Sequence, residues 1–141
     1  GEDKLKQFVT ILALSKLTTN KFSEVSKQSL ITARLMASLA SESAFVEIKD
    51  FAFITGLLSS IEVILSMPID EIVKTMPLAQ PIVDALVNHS GLLGELLDLT
   101  TNYITGNGEN IQQLTDLYRL DANFIHKEFV NASNWCKSLG I

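Results

Sequence analysis

From Phe51 to Ile61 the chain runs eleven residues without a charge, its longest uncharged stretch. Within and just beyond it, Phe51, Phe53, Ile54, Leu57, Leu58, Ile61, Ile64 and Leu65 cover most of the circumference of a helix expected over about Ile48 to Ser66. A helix apolar all round belongs either in a bilayer or at the centre of a folded domain. A membrane span needs about 18 or more apolar residues, so this helix is expected to be central and buried. Gly56 lies inside it. A mid-helix glycine costs about 1 kcal/mol against alanine, and a second helix crossing closely at that point would offset the cost.

Helical periodicity continues on both sides, and strand signals are nearly absent. Leu5, Phe8, Val9 and Leu12 form one apolar stripe on a first helix. The polar stretch Thr18-Thr19-Asn20-Lys21 interrupts it, and a second helix is expected from Ser23 through Leu30, Ala33, Leu35, Met36, Leu39 and Ala40. Its small residues Ala33, Ala37 and Ala40 would admit a close neighbour. Pro68 and Pro81 suit the first turns of two further helices, one carrying Ile72, Val73 and Met76, the other Ile82, Val83, Leu86 and Val87. Asn88-His89-Ser90-Gly91 reads as a turn. Leu92, Leu93, Leu96, Leu97, Thr100 and Ile104 mark the next helix, ended by Gly106-Asn107-Gly108. A short helix with Ile111, Leu114 and Tyr118 follows. Asp121 is placed as the N-cap of a last helix burying Ile125, Phe129, Ala132 and Trp135, with Leu120 and Ile125 as a hydrophobic staple. The expected architecture is all-α, a single compact helical domain of seven or eight helices within the 141 residues.

Charge narrows the function classes. Eleven Lys and Arg against sixteen Asp and Glu give a net charge of -5, so the concentrated positive face that nucleic acid requires is not expected. Glu42, Glu47, Asp50, Asp70, Glu71, Asp84, Glu95 and Asp98 are spread as a solvated face, with Asp70 and Glu71 suited to a helix first turn. The single cysteine, Cys136, cannot form an internal disulfide and suits a reducing cytoplasm as a small buried hydrophobe. Ser59 and Ser60 lack a nucleophile-elbow sequence, and Gly106-Asn107-Gly108 is too short for a phosphate cradle. His126 and Glu128, two apart on a helix, diverge and are expected on the solvated surface.

Ala52-Phe53-Ile54-Thr55-Gly56-Leu57-Leu58-Ser59-Ser60-Ile61-Glu62 resembles the central helix of the HDOD domain, the HD-related output domain of bacterial signalling proteins. The closest likeness is to the branch in which it follows an EAL domain, the cyclic-di-GMP phosphodiesterase fold. Five further segments agree in order. Leu5-Lys6-Gln7-Phe8 is similar to the family's "LRRW", with Phe8 for Trp, and Thr32-Ala33-Arg34-Leu35-Met36 to "RAR-M", with Thr32 for the first Arg. Met67-Pro68-Ile69-Asp70-Glu71-Ile72 is similar to "MPLEEVL". Met76-Pro77-Leu78 with Pro81-Ile82 is similar to "LPLS-EI", with Ala79 in place of Ser. Gly91-Leu92-Leu93-Gly94-Glu95-Leu96-Leu97 is similar to "GPLG-LL".

The resemblance implies an HD-related fold and the C-terminal portion of such a domain, with an upstream EAL domain absent from this chain. It also implies where chemistry would lie. HD hydrolases hold a divalent metal with His, a His-Asp doublet and a later Asp, and the metal activates water against phosphate esters. On that pattern the doublet falls on Ser59-Ser60 and the later Asp near Thr101, while Asn88-His89 stands where related domains carry a His-His pair. Hydroxyls do not replace those ligands. No catalytic, cofactor or metal residue is therefore expected, and the chain reads as a non-catalytic regulatory module working through a linked EAL domain or a protein partner. A metal-dependent phosphohydrolase is the alternative. Direct cyclic-di-GMP binding ranks lower, because Arg34 and Arg119 are the chain's two arginines. A missing front of the domain would leave Phe8, Ile11, Leu12 and Leu30 exposed and able to pair chains as a homo-oligomer.

Overall fold

The computed structural model describes residues 20–75, 77–106 and 111–139. Among them, eight α-helices and one short 3-10 helix follow one another, with no strand. The helices are α1 (Asn20–Leu39), α2 (Lys49–Leu58), α3 (Ile61–Leu65), α4 (Ile69–Thr75), α5 (Gln80–Asn88), α6 (Gly91–Thr105), α7 (Ile111–Tyr118) and α8 (Ala122–Ser138), with the 3-10 helix Ser43–Ile48 between α1 and α2. The expected helix at Leu5, Phe8, Val9 and Leu12 lies outside the described residues, as do Ile11 and Met76.

The all-α expectation is met, and the close crossing at Gly56 is found. A Cβ placed on Gly56 would stand 2.6 Å from Ala33 Cα and 2.8 Å from Ala33 N, so α1 and α2 touch backbone to backbone. Ala33 itself is fully buried. Two small residues facing each other let the helix axes approach, and that approach brings the flanking Leu30, Met36, Ile54 and Leu57 into one core. Two buried threonine hydroxyls there are satisfied within their own helices, whereas the buried Ser26 and Ser29 hydroxyls of α1 have no partner among the described residues. Thr32 donates to Gln28 O and Thr55 to Phe51 O, each at 2.8 Å.

Around this pair, α6 contributes Leu93, Leu96, Leu97 and Leu99, and α8 contributes Ile125, Ala132 and Cys136, all buried. Phe45 of the 3-10 helix is sealed into the core and its ring meets Tyr118 at 4.8 Å between centroids. On the outer side of α1 and α2, Trp135 takes the edge of Phe53 at 6.3 Å and the guanidinium of Arg34 at 5.2 Å.

Three expectations are corrected. First, the long apolar helix is two. α2 ends at Leu58 and α3 starts at Ile61, because Ser59 turns back on the helix: its hydroxyl donates to Gly56 O at 2.6 Å and its N–H to the same carbonyl at 3.3 Å. A serine that competes for a backbone carbonyl in this way tightens and ends the turn. All-round burial then holds for α2, whereas Val63 on α3 is 47% exposed. Second, α1 already includes Asn20, Lys21 and Phe22, ahead of the expected Ser23; no Gly or Pro stands in that stretch to force a break. Third, Leu30 is only 1% exposed, so it belongs to the core and offers no pairing face.

Helix ends follow the sequence more closely. Pro81 opens α5, and Pro68 O accepts the first α4 amides from Glu71 and Ile72. Asp121 caps α8, its carboxylate accepting from Asn123 N–H at 3.0 Å, and the staple residues Leu120 and Ile125 are both buried. Ser66, His89 and Arg119 terminate helices at φ of 55°, 52° and 55°, the left-handed region that non-glycine residues enter at a cost. No described helix is long and apolar enough to cross a membrane.

Two variants test this frame. Gly56→Ala gains helix propensity but drives a methyl into the Ala33 backbone; a net loss of about 1–3 kcal/mol is expected by chemical denaturation followed by circular dichroism. A variant as stable as the parent would mean that α1 and α2 do not cross there. Asp121→Ala removes a cap and is expected to cost about 1 kcal/mol in the same assay.

Candidate functional site

The residues singled out in sequence converge on one cleft between the α2–α3 turn and the α5–α6 turn. Its volume is about 310 Å³. Ser59 and Glu62 line one side, His89 and Thr101 the other, and Ile69, Leu86, Val87 and Leu97 form the apolar part of the wall. Ser60, the second position of the expected doublet, is not among the lining residues.

Each polar group is fixed by a local contact. Ser59 Oγ donates to Gly56 O at 2.6 Å, and Thr101 Oγ donates to Leu97 O at 3.0 Å and Asp98 O at 3.2 Å. Glu62 reaches across the α3–α4 turn, where its Oε1 accepts the Ile69 N–H at 2.6 Å. That bond satisfies a backbone donor at the start of α4, a helix whose first turn also carries Asp70 and Glu71.

His89 is held most firmly. It sits at φ 52° as the C-cap of α5, where its N–H donates to Ala85 O at 3.2 Å. Its ring Nδ1 lies 2.8 Å from Asp98 Oδ1 on α6. The turn also leans on α6, since a Cβ on Gly94 would stand 2.5 Å from the His89 carbonyl carbon. Glycine at position 94 is therefore what lets the His89 turn pack down. His89 lies in the turn expected from sequence and is exposed, and its ring pairs with a side chain on the next helix.

This donor set does not fit the metal of an HD hydrolase. The hydroxyls at Ser59 and Thr101 are weak neutral ligands already engaged with carbonyls, and hard divalent cations want several charged oxygens or imidazoles. Among the described residues no group of three or more His, Cys, Asp or Glu is placed to hold a metal ion.

Comparison with known proteins adds lineage to this geometry. Over 139 residues the chain is 27% identical to the cyclic di-GMP phosphodiesterase CdgJ of Vibrio cholerae, a match covering 99% of this chain and 32% of that protein. It is also 28% identical over 142 residues to the uncharacterized protein YuxH of Bacillus subtilis, covering 99% of this chain and 34% of that one. The chain spans about a third of the length of these relatives. No family model matches it, and no solved structure matches it.

Glu62 in the cleft and Asp98 behind His89 are the residues that sequence reasoning passes over. Glu62 stands three residues after Ser59, a spacing that keeps two side chains on one side of a helical path. Asp98 was grouped with the solvated acids, and only the turn at His89 brings it to the imidazole nine residues away. The other highlighted residues lie elsewhere. His126 is exposed with Nδ1 3.1 Å from the Tyr103 hydroxyl, while Glu128 is half-buried rather than fully solvated. Cys136 is buried, its thiol 3.8 Å from Lys27 O, and burial raises its pKa against the smaller lowering effect of Lys27.

A buried thiol with a raised pKa carries little thiolate at neutral pH and is a poor nucleophile. Modification of Cys136 by an aromatic disulfide reagent at pH 7.5 is therefore expected to be at least tenfold slower in the native chain than in denaturant. Equal rates would place the thiol at the surface.

Proposed function

We propose that this chain is a non-catalytic regulatory module of a cyclic-di-GMP signalling protein, HD-related in fold, which acts through contacts with a linked EAL domain or a protein partner. The carrying observation is the composition of the cleft. Where the pattern of HD hydrolases calls for charged metal ligands, this chain has Ser59 and Thr101, each donating to a main-chain carbonyl. Similarity along nearly the whole chain to a third of a cyclic di-GMP phosphodiesterase supports the signalling context and leaves room in such a parent for a separate catalytic domain. A module of this kind has packing surfaces to offer. Helices that meet backbone to backbone shift as units, so a partner preferring one arrangement can bias the whole bundle.

The test compares the parent protein with and without residues 1–141 for cyclic-di-GMP hydrolysis, oligomeric state and co-purifying proteins. At least one of the three is expected to change. If none changes, the regulatory reading fails. The rival phosphohydrolase reading is tested on the chain itself by metal analysis and a phosphoesterase assay. Substoichiometric metal and no turnover are expected, and stoichiometric metal with turnover would replace the proposal.

A further inference from the structure

The polarity of the cleft has a direction. The protons of Ser59 Oγ and Thr101 Oγ are already given to Gly56 O and to Leu97 O and Asp98 O, so toward the cleft these oxygens can only accept. Glu62 uses one lone pair of Oε1 on Ile69 N–H, and its carboxylate keeps the remaining acceptor sites and its charge. At His89 the carboxylate of Asp98 can only accept, so the Nδ1 that faces it carries a proton. No Lys or Arg is among the lining residues. Ser59, Thr101 and Glu62 thus offer acceptors and one full negative charge, with the carboxylate of Asp98 behind His89, in a chain of net charge -5.

We propose that this cleft receives the ammonium or guanidinium group of an organic cation, held by Glu62 with Ser59 and Thr101 as acceptors. A guanidinium has five donors in a plane and no acceptor, the complement of those three oxygen-bearing side chains. The apolar wall of Ile69, Leu86 and Leu97 suits the alkyl stem that carries such a group, and about 310 Å³ sits at the small end of ligand sites, which run to roughly 300–1,000 Å³. A phosphate ester, the ligand class of a hydrolytic site, meets no Lys or Arg here and is repelled by Glu62. The inference rests on reading the cleft as non-hydrolytic. The cation comes either as a free small molecule or as an arginine or lysine side chain of a protein partner.

The experiment is a titration of the isotopically labelled chain, followed by amide NMR, with n-butylguanidinium, n-butylammonium, butyrate and n-butanol. Saturable shifts at Ser59, Glu62, His89 and Thr101 are expected for the two cations and not for butyrate or butanol. Glu62→Gln keeps a carbonyl to accept the Ile69 amide while removing the charge, and is expected to weaken cation binding at least tenfold. A second variant, Thr101→Lys, supplies an internal ammonium and is expected to abolish binding of the added cation even if Glu62→Gln folds poorly. Equal binding of butyrate or butanol, binding unchanged by both variants, or no saturable binding would overturn the proposal. The tripeptide Gly-Arg-Gly separates the sources: binding tighter than butylguanidinium assigns the group to a partner side chain, and weaker binding to a free ligand. Magnesium or manganese seated at these residues in place of the organic cations would also overturn it. Phosphoester turnover in the same sample would instead sink the non-hydrolytic reading, so the two failures are distinguishable.

Discussion

The contact of α1 with α2 at Ala33 and Gly56 sets the spacing of everything else. Two main chains touching leave no side chain between them to repack, so the crossing point is fixed by van der Waals radii rather than by rotamer choice. From that point the leucines of α1, α2 and α6 interdigitate around one axis, and α8 closes the outer side through Ala132 and Cys136. The second close approach, Gly94 beneath the His89 backbone, does the same for α5 and α6. The molecule is thus pinned at two backbone contacts, and the cleft lies between the elements that they position.

The chemistry of the cleft follows from that placement. The end of α2 delivers Ser59, the αL turn after α5 delivers His89, and the middle of α6 delivers Thr101. Here the hydroxyls are consumed by backbone carbonyls, a use that short polar side chains on helices commonly find. What results is a shaped space with an electrostatic sign, set by Glu62 with no Lys or Arg beside it.

Much of this was legible before any coordinates. The all-round apolarity of Phe51 to Leu58 required a buried helix, Gly56 within it required a close neighbour, and Asp121 with Leu120 and Ile125 marked a helix start; each is a local rule acting on a few residues. The break at Ser59-Ser60 was not legible, because apolar residues continue through Ile61, Ile64 and Leu65 and hide a two-residue turn made by one hydroxyl. The convergence of Ser59, His89 and Thr101 was anticipated only through family resemblance. The pairings His89–Asp98, Tyr103–His126 and Arg34–Trp135 depend on how helices pack, and periodicity along one helix says nothing about its neighbour.

The turn after α2 has a mechanical consequence. α3 is five residues long and α4 seven, and both are bounded by irregular backbone, with Ser59-Ser60 before α3 and the left-handed Ser66 between them. Helices this short hold few internal hydrogen bonds and gain little from cooperative propagation. The opposite wall, on α6, is a fifteen-residue helix rooted in the core. One wall of the cleft therefore belongs to a long helix rooted in the core, and the other, carrying Glu62 and Ile69, to two short helices joined through a left-handed turn and held to the bundle by Ile61 and Ile72. A group seated between them would touch both walls at once, and so would tie the short helices to the long one across the gap.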